Sequence, residues 1–268
     1  MRKIFHSMAL ALSLVGLALF VMGCDGTTAT TGGTVNLMVT GSGGGATPAS
    51  TRGMFQPLNA SFGGVTITTA LASFREIEFI LAGEDPAMAQ QEPEFEATFY
   101  VDLLAPNTTG TLLGSALIPP GTYAGIEFKL DATPNPPTSP TDFSNLTNNS
   151  VYVAGTANGV AFTLSLTASS GGAQIVVTGP NGFTVDANTT SDLVIDFNLP
   201  GVLAHPVDAQ GTTVAALIVT ATTGQSGTVD LTSNVGLTTV LLDALHAEAH
   251  SGEDENHDGH LDDTEDVH

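Results

Sequence analysis

The chain has 268 residues, 42% of them apolar and 12% charged, which is enough apolar material for one large core or two smaller ones. Its 27 Asp and Glu against five Lys and Arg give a formal net charge of −22 and exclude nucleic acid as a partner, because neutralising phosphates takes clustered cations. Thirty Gly and fourteen Pro favour short strands with frequent turns, and a single cysteine, Cys24, excludes an intramolecular disulfide.

The first element is an address. Arg2 and Lys3 form a positive start, and Met8 to Met22 is an apolar run without a charged side chain, shorter than a typical membrane span. Val21, Met22, Gly23 and Cys24 resemble the bacterial lipobox. That resemblance implies cleavage after Gly23 and lipidation of Cys24; an uncleaved anchor with an incidental cysteine is the alternative, and both readings place the rest outside the cytoplasm. Removing Arg2 and Lys3 leaves three basic residues and a formal charge of −24. The expected localisation is the bacterial cell envelope, anchored to a membrane and facing the periplasm or exterior. Several acyl chains anchor stably where one alone is marginal. Residues 24–33, Gly- and Thr-rich without apolar periodicity, read as a flexible tether.

From Thr34 onward, short apolar runs recur between turn signals, the pattern of an all-β sandwich or barrel over 34–221. Ten to twelve strands are expected. The clearest are Val35 to Thr40, Val65 to Thr69, Phe74 to Leu81, Thr98 to Leu104, Thr122 to Leu130, Val151 to Gly155, Ala161 to Thr167, Ile175 to Thr178, Asp192 to Leu199 and Val214 to Thr220. In Thr122 to Leu130 alternation puts Ala124, Ile126, Phe128 and Leu130 on one face and Tyr123, Glu127 and Lys129 on the other. In Asp192 to Leu199 it points Leu193, Ile195, Phe197 and Leu199 inward and Asp192, Asp196 and Asn198 outward. Pro119, Pro120 and Gly121 form a tight turn, while Gly83 to Glu96 and the Pro-rich Ala132 to Asn149 read as loops.

The runs VDLL (Val101 to Leu104), LLGSALIPPGTYAGIEFKL (Leu112 to Leu130), NSVYV (Asn149 to Val153) and SDLVIDFNL (Ser191 to Leu199) resemble the bacterial lipoprotein family known as domain of unknown function 4382, over roughly Val35 to Thr220. The resemblance implies an antiparallel Greek-key β-sandwich, immunoglobulin-like or transthyretin-like, behind a lipobox. It supplies no catalytic residue.

Residues 222–268 form a C-terminal extension. Val240, Leu241, Ala244, Leu245 and Ala247 have helical spacing and predict a short helix over Thr238 to Glu248. Asp254 to Glu265, DENHDGHLDDTE, then fits the EF-hand loop pattern. Asp254, Asn256 and Asp258 take positions 1, 3 and 5, Gly259 allows the turn, the His260 carbonyl serves at 7, Asp262 acts through water at 9, and Glu265 closes the shell. A calcium ion suits such a loop because it takes six to eight oxygens, which alternate residues of a tight turn aim inward. The competing reading is a disordered acidic tail. With no exiting helix or paired second loop, binding is expected in the range of about 10⁻⁴ to 10⁻³ M. His246 and His250, four apart, with His257, His260 and His268, suggest a transition-metal site as an alternative, against solvated polar residues.

No G-x-S-x-G, H-E-x-x-H, P-loop or Rossmann glycine pattern is present, and His205, beside Pro206, reads as a loop residue. The expected function is a non-catalytic structural or ligand-binding module, held to a membrane through its N-terminal lipid, with a protein or glycan ligand of unidentified kind. The competing class is a carbohydrate-active hydrolase using loop carboxylates. An enzyme requires acidic side chains that converge in a deep pocket; a binding module does not.

Overall fold

The computed structural model describes residues 32–41, 59–83, 93–104, 111–167, 173–254 and 261. All belong to one compact unit, Thr31–His268. Twelve strands and three helices are described: β1 (Gly33–Gly41), β2 (Ala60–Phe62), β3 (Val65–Leu81), β4 (Glu94–Asp102), β5 (Thr111–Ile118), β6 (Gly121–Leu130), β7 (Val151–Ala157), β8 (Val160–Leu166), β9 (Gln174–Val185), β10 (Thr190–Phe197), α1 (Leu199–Ala204), α2 (Val214–Thr222), β11 (Val229–Asp230), α3 (Val235–Ala247) and β12 (Ala249–Glu253).

The strands form a mostly β, sandwich-like structure. One sheet has the order β12-β10-β1-β5; the other runs β11-β8-β7-β3-β6-β9, with β2 and β4 also paired to β3. The 17-residue β3 carries the second sheet, its first half bonded to β7 and its second half to β6. Inward residues of both sheets share one core: Val35, Leu37, Val39, Leu193 and Ile195 from the first, Ile77, Phe79, Ile126, Phe128 and Ile175 from the second. The Phe74 and Phe197 rings stack between the sheets with centroids 6.2 Å apart.

Four expectations need correction. The sheets are not purely antiparallel, since β1 runs parallel to β10 and β11 parallel to β8. Val65 to Thr69 and Phe74 to Leu81 are one strand, because Ala70, Leu71, Ala72 and Ser73 between them are buried on both faces and so show no alternation. Val214 to Thr220 is helical: Val214, Ala215, Ile218 and Thr222 are its buried residues, and Thr213 Oγ1 caps it by accepting from the Ala216 N–H at 3.2 Å. Finally, Tyr123 points inward, because the β6–β9 pairing shifts register between Tyr123 and Gly125 and reverses the faces ahead of the shift.

The C-terminal extension is built into the same core. Leu237, Leu241, Ala244 and Leu245 of α3 are buried, and Asn234 Oδ1 caps the helix by accepting from the Leu237 N–H at 3.1 Å. No helix among the described residues is long and apolar enough to cross a membrane.

Candidate metal-binding tail

Strand β12, with the sequence AHSGE, has no β-branched or aromatic residue, so pairing and not propensity makes it a strand. It lies antiparallel on β10, from Ala249 opposite Phe197 to Glu253 opposite Leu193. The Asp254 N–H extends the ladder by donating to the Asp192 carbonyl at 2.9 Å. The register therefore sets His250 opposite Asp196 and brings Asp254 alongside Asp192, and residues opposite each other share a face. On that face Asn36 Nδ2 donates to Asp192 Oδ1 at 2.7 Å, Thr40 Oγ1 donates to Asp196 Oδ1 at 2.9 Å, and Ser115 Oγ donates to Asn36 Oδ1 at 2.6 Å. These bonds fix two carboxylates along β10, Asp192 beside Asp254 where the tail leaves the sheet and Asp196 opposite His250 near the start of β12.

Asp254, the first expected calcium ligand, is 1% exposed at the end of β12. Asn256, Asp258, His260, Asp262 and Glu265 lie outside the described residues, as does Cys24. The loop is entered from a strand and not from a helix, since β12 intervenes after α3. Among the described residues no group of three or more His, Cys, Asp or Glu is arranged to hold a metal ion. The spacing proposed for His246 and His250 is also lost: His246 ends α3 while His250 sits on β12, so they do not share a helical face.

Sequence reasoning found Asp192 and Asp196 as outward residues through their alternation, but not their meeting with the tail, which a strand without strand propensity creates. His205, read as a loop residue, does lie outside the helices and strands, but its partners were not foreseen. This residue follows α1, and its Nδ1 lies 3.2 Å from Glu248 Oε1 at the end of α3, while Asn198 Nδ2 donates to Glu248 Oε2 at 3.3 Å. The cluster ties the ends of β10, α1 and α3 together, and no local signal could reveal a partner 43 residues away.

The second sheet carries the other concentration of carboxylates. Lys129 on β6 bonds Glu76 and, at 3.1 Å, Glu78 on β3, and lies 3.8 Å from Glu127. The hydrogen bond to Glu76 leads the contacts that raise the Lys129 ammonium above the usual lysine range. Burial raises the Glu127 carboxyl, Lys129 opposes this, and Glu78 and Glu76 add to the rise. These carboxylates stand on a sheet face around a cation. A cleft of about 300 Å³, lined by residues including Leu130, Ser150, Ser165, Thr232, Thr239 and Leu242, has no charged side chain in its lining.

No curated protein and no solved structure matches the chain. A family model described as "Domain of unknown function (DUF4382)" matches residues 52–213. The matched segment runs from ahead of β2 to the residue that caps α2, so β1, α2, β11, α3 and β12 lie outside it. With more than half of its length matched, the chain belongs to the DUF4382 family.

Proposed function

We propose that this is a lipid-anchored bacterial envelope protein, a non-catalytic structural or ligand-binding module of Greek-key sandwich type whose tail carries a weak calcium loop. The supporting sequence features are the lipobox-like Val21 to Cys24 and the EF-hand spacing from Asp254 to Glu265. The single observation carrying the metal reading is the placement of Asp254. Its backbone is bonded to β10 and the residue is buried, which supports a first ligand held by the sheet and not by a free tail. Asn256, Asp258, the His260 carbonyl, Asp262 and Glu265 would complete the shell with oxygens, the donor set a hard divalent cation takes. Envelope lipids fix the other end of the chain, at Cys24.

Calorimetric titration of residues 25–268 tests the site. One equivalent of calcium, with a dissociation constant of about 10⁻⁴ to 10⁻³ M that is lost in Glu265→Ala, is the expected result. No calcium heat, with or without zinc heat, would overturn it. Globomycin, which blocks the lipoprotein signal peptidase, tests the anchor. It should cause the uncleaved form to accumulate, as should Cys24→Ala.

A further inference from the structure

Among the described residues strand β5 ends the first sheet, and its sequence, TLLGSALI, contains no charge and no proline. Sheet edges are ordinarily guarded by charges, prolines or covering elements, because their unpaired N–H and C=O groups template pairing with another strand. Two of the most exposed large apolar residues among those described lie here, Leu112 at 58% and Leu117 at 72%. The β1–β5 pairing places Leu117 opposite Thr34, Ser115 opposite Asn36 and Leu112 opposite Met38, with a register shift between Leu37 and Met38. That shift lets Leu112 and Leu117, an odd number of residues apart, share the outward face with Ser115.

Charge is distributed unevenly across this sheet. Strands β5 and β1 carry no ionisable side chain, whereas β10 and β12 carry Asp192, Asp196, His250 and Glu253, followed by Asp254. Two copies of a chain with a formal charge of −22 repel across most of their surfaces, and the β5 edge is a place where they can meet without opposing carboxylates.

We propose that β5 is a self-association edge, pairing antiparallel with β5 of a second copy so that the two four-stranded sheets become one of eight strands. A two-fold axis through the middle of β5 brings Leu112 of one copy beside Leu117 of the other, and it does so twice. It also separates the β10 carboxylate rows by five strand spacings, roughly 24 Å, about three Debye lengths at physiological salt. The occupant is a second copy because the edge complements itself, with the same leucine pair on both sides and the acidic rows on the outside. Eight paired residues a side make a small interface, so the dimer is weak, with a dissociation constant in the micromolar range. The pairing does not depend on the lipid anchor or the calcium loop.

Sedimentation velocity on residues 25–268, which contain every described residue, should show a monomer–dimer equilibrium. It should tighten as sodium chloride rises from 0.05 to about 0.5 M, because screening removes repulsion between acidic copies. Leu117→Glu and Leu112→Glu should each weaken the dimer at least tenfold, while Val235→Glu, at an equally exposed apolar residue on α3, should leave it unchanged. Unaltered circular dichroism in all three variants would establish that folding is intact, and should any leucine variant misfold, Ser115→Cys takes its place. In a chain otherwise free of cysteine, Ser115→Cys should give an intermolecular disulfide on mild oxidation. A monomer up to a few hundred micromolar at every salt concentration would overturn the proposal. So would a dimer indifferent to both leucine variants, or one that loosens with salt.

Discussion

Tyr123 shows how much of this fold rests on single side chains. Its ring is fully buried, stacks on Phe183 with centroids 5.2 Å apart and meets Phe79 edge-on, and its hydroxyl donates to the Pro119 carbonyl at 2.8 Å. The hydroxyl thus closes the Pro119–Pro120–Gly121 turn from inside the core, which gives the PPGTY block a physical role. Tyr123→Phe should cost about 1 kcal/mol in urea unfolding through loss of this hydrogen bond. Tyr123→Ala should cost about 3 to 5 kcal/mol by opening a cavity beside the Phe79 and Phe183 rings. Lys129 behaves differently, because its removal leaves Glu78 and Glu127 without their cation and Glu76 with only the half-exposed Arg75, 3.8 Å away. Lys129→Gln should therefore lose about 1 to 2 kcal/mol at pH 7, a figure below that for a fully buried pair because the group is partly solvated. The sign with pH follows from Glu127, whose carboxyl burial already raises: a raised folded value favours the protonated form, so its contribution is present at low pH and is lost as pH rises through that value. Without Lys129 the rise grows, so the deficit of Lys129→Gln should shrink as pH is lowered from 7 towards 4. A deficit that stayed constant over this range would mean that Lys129 acts through packing alone.

The elements that were legible in sequence are those whose burial is one-sided. In β10 the alternation of Leu193, Ile195 and Phe197 with Asp192 and Asp196 gives both the strand and its inward face, although Val194 is buried on the other side as well. Where burial is two-sided or pairing is imposed from a distance, local pattern fails. The VAALIVTAT of α2 is rich in β-branched residues and reads as a strand, yet its buried positions follow helical spacing and a threonine caps it, so tertiary packing overrides propensity. Strand β12 is the reverse case, since β10 supplies the ladder that its own sequence does not call for. Strand β9 runs through Gly179, Pro180, Asn181 and Gly182, residues that signal a turn, and here Gly182 adopts φ +59° where a Cβ would strike the Tyr123 carbonyl. Gly182→Ala combines a left-handed backbone with that clash. It should cost more than the ~1 kcal/mol of an ordinary left-handed Gly-to-Ala change, measured by chemical unfolding, and it should leave the far strands β7 and β8 with native amide-exchange protection relative to one another until global unfolding.

At the scale of the whole molecule, the tail is where sequence and fold meet. The loop pattern of Asp254 to Glu265 was readable because alternate oxygen ligands and one glycine have a fixed spacing, whereas the strand that presents it was not, because β12 exists only through β10. Since α3 and β12 complete the core, a metal bound after Glu253 stabilises the fold as a whole and not a separate appendage. Linkage sets the size of the effect. With a dissociation constant of about 10⁻⁴ to 10⁻³ M, 10 mM calcium should add roughly 1.4 to 2.7 kcal/mol. For a domain of this length that corresponds to a rise in Tm of about 3 to 10 °C by differential scanning calorimetry. Glu265→Ala should abolish the rise without lowering the Tm measured in chelator, because the residue lies beyond the last described strand. Truncation after Leu231 should instead remove α3 and β12, expose the apolar surface that Leu237, Leu241 and Leu245 cover, and give a chain that aggregates with or without calcium. Amide exchange separates a clip from a decoration: calcium should slow exchange in β12 and along its β10 partner, and a Tm increase that leaves those amides unchanged would place the ion elsewhere on this acidic chain.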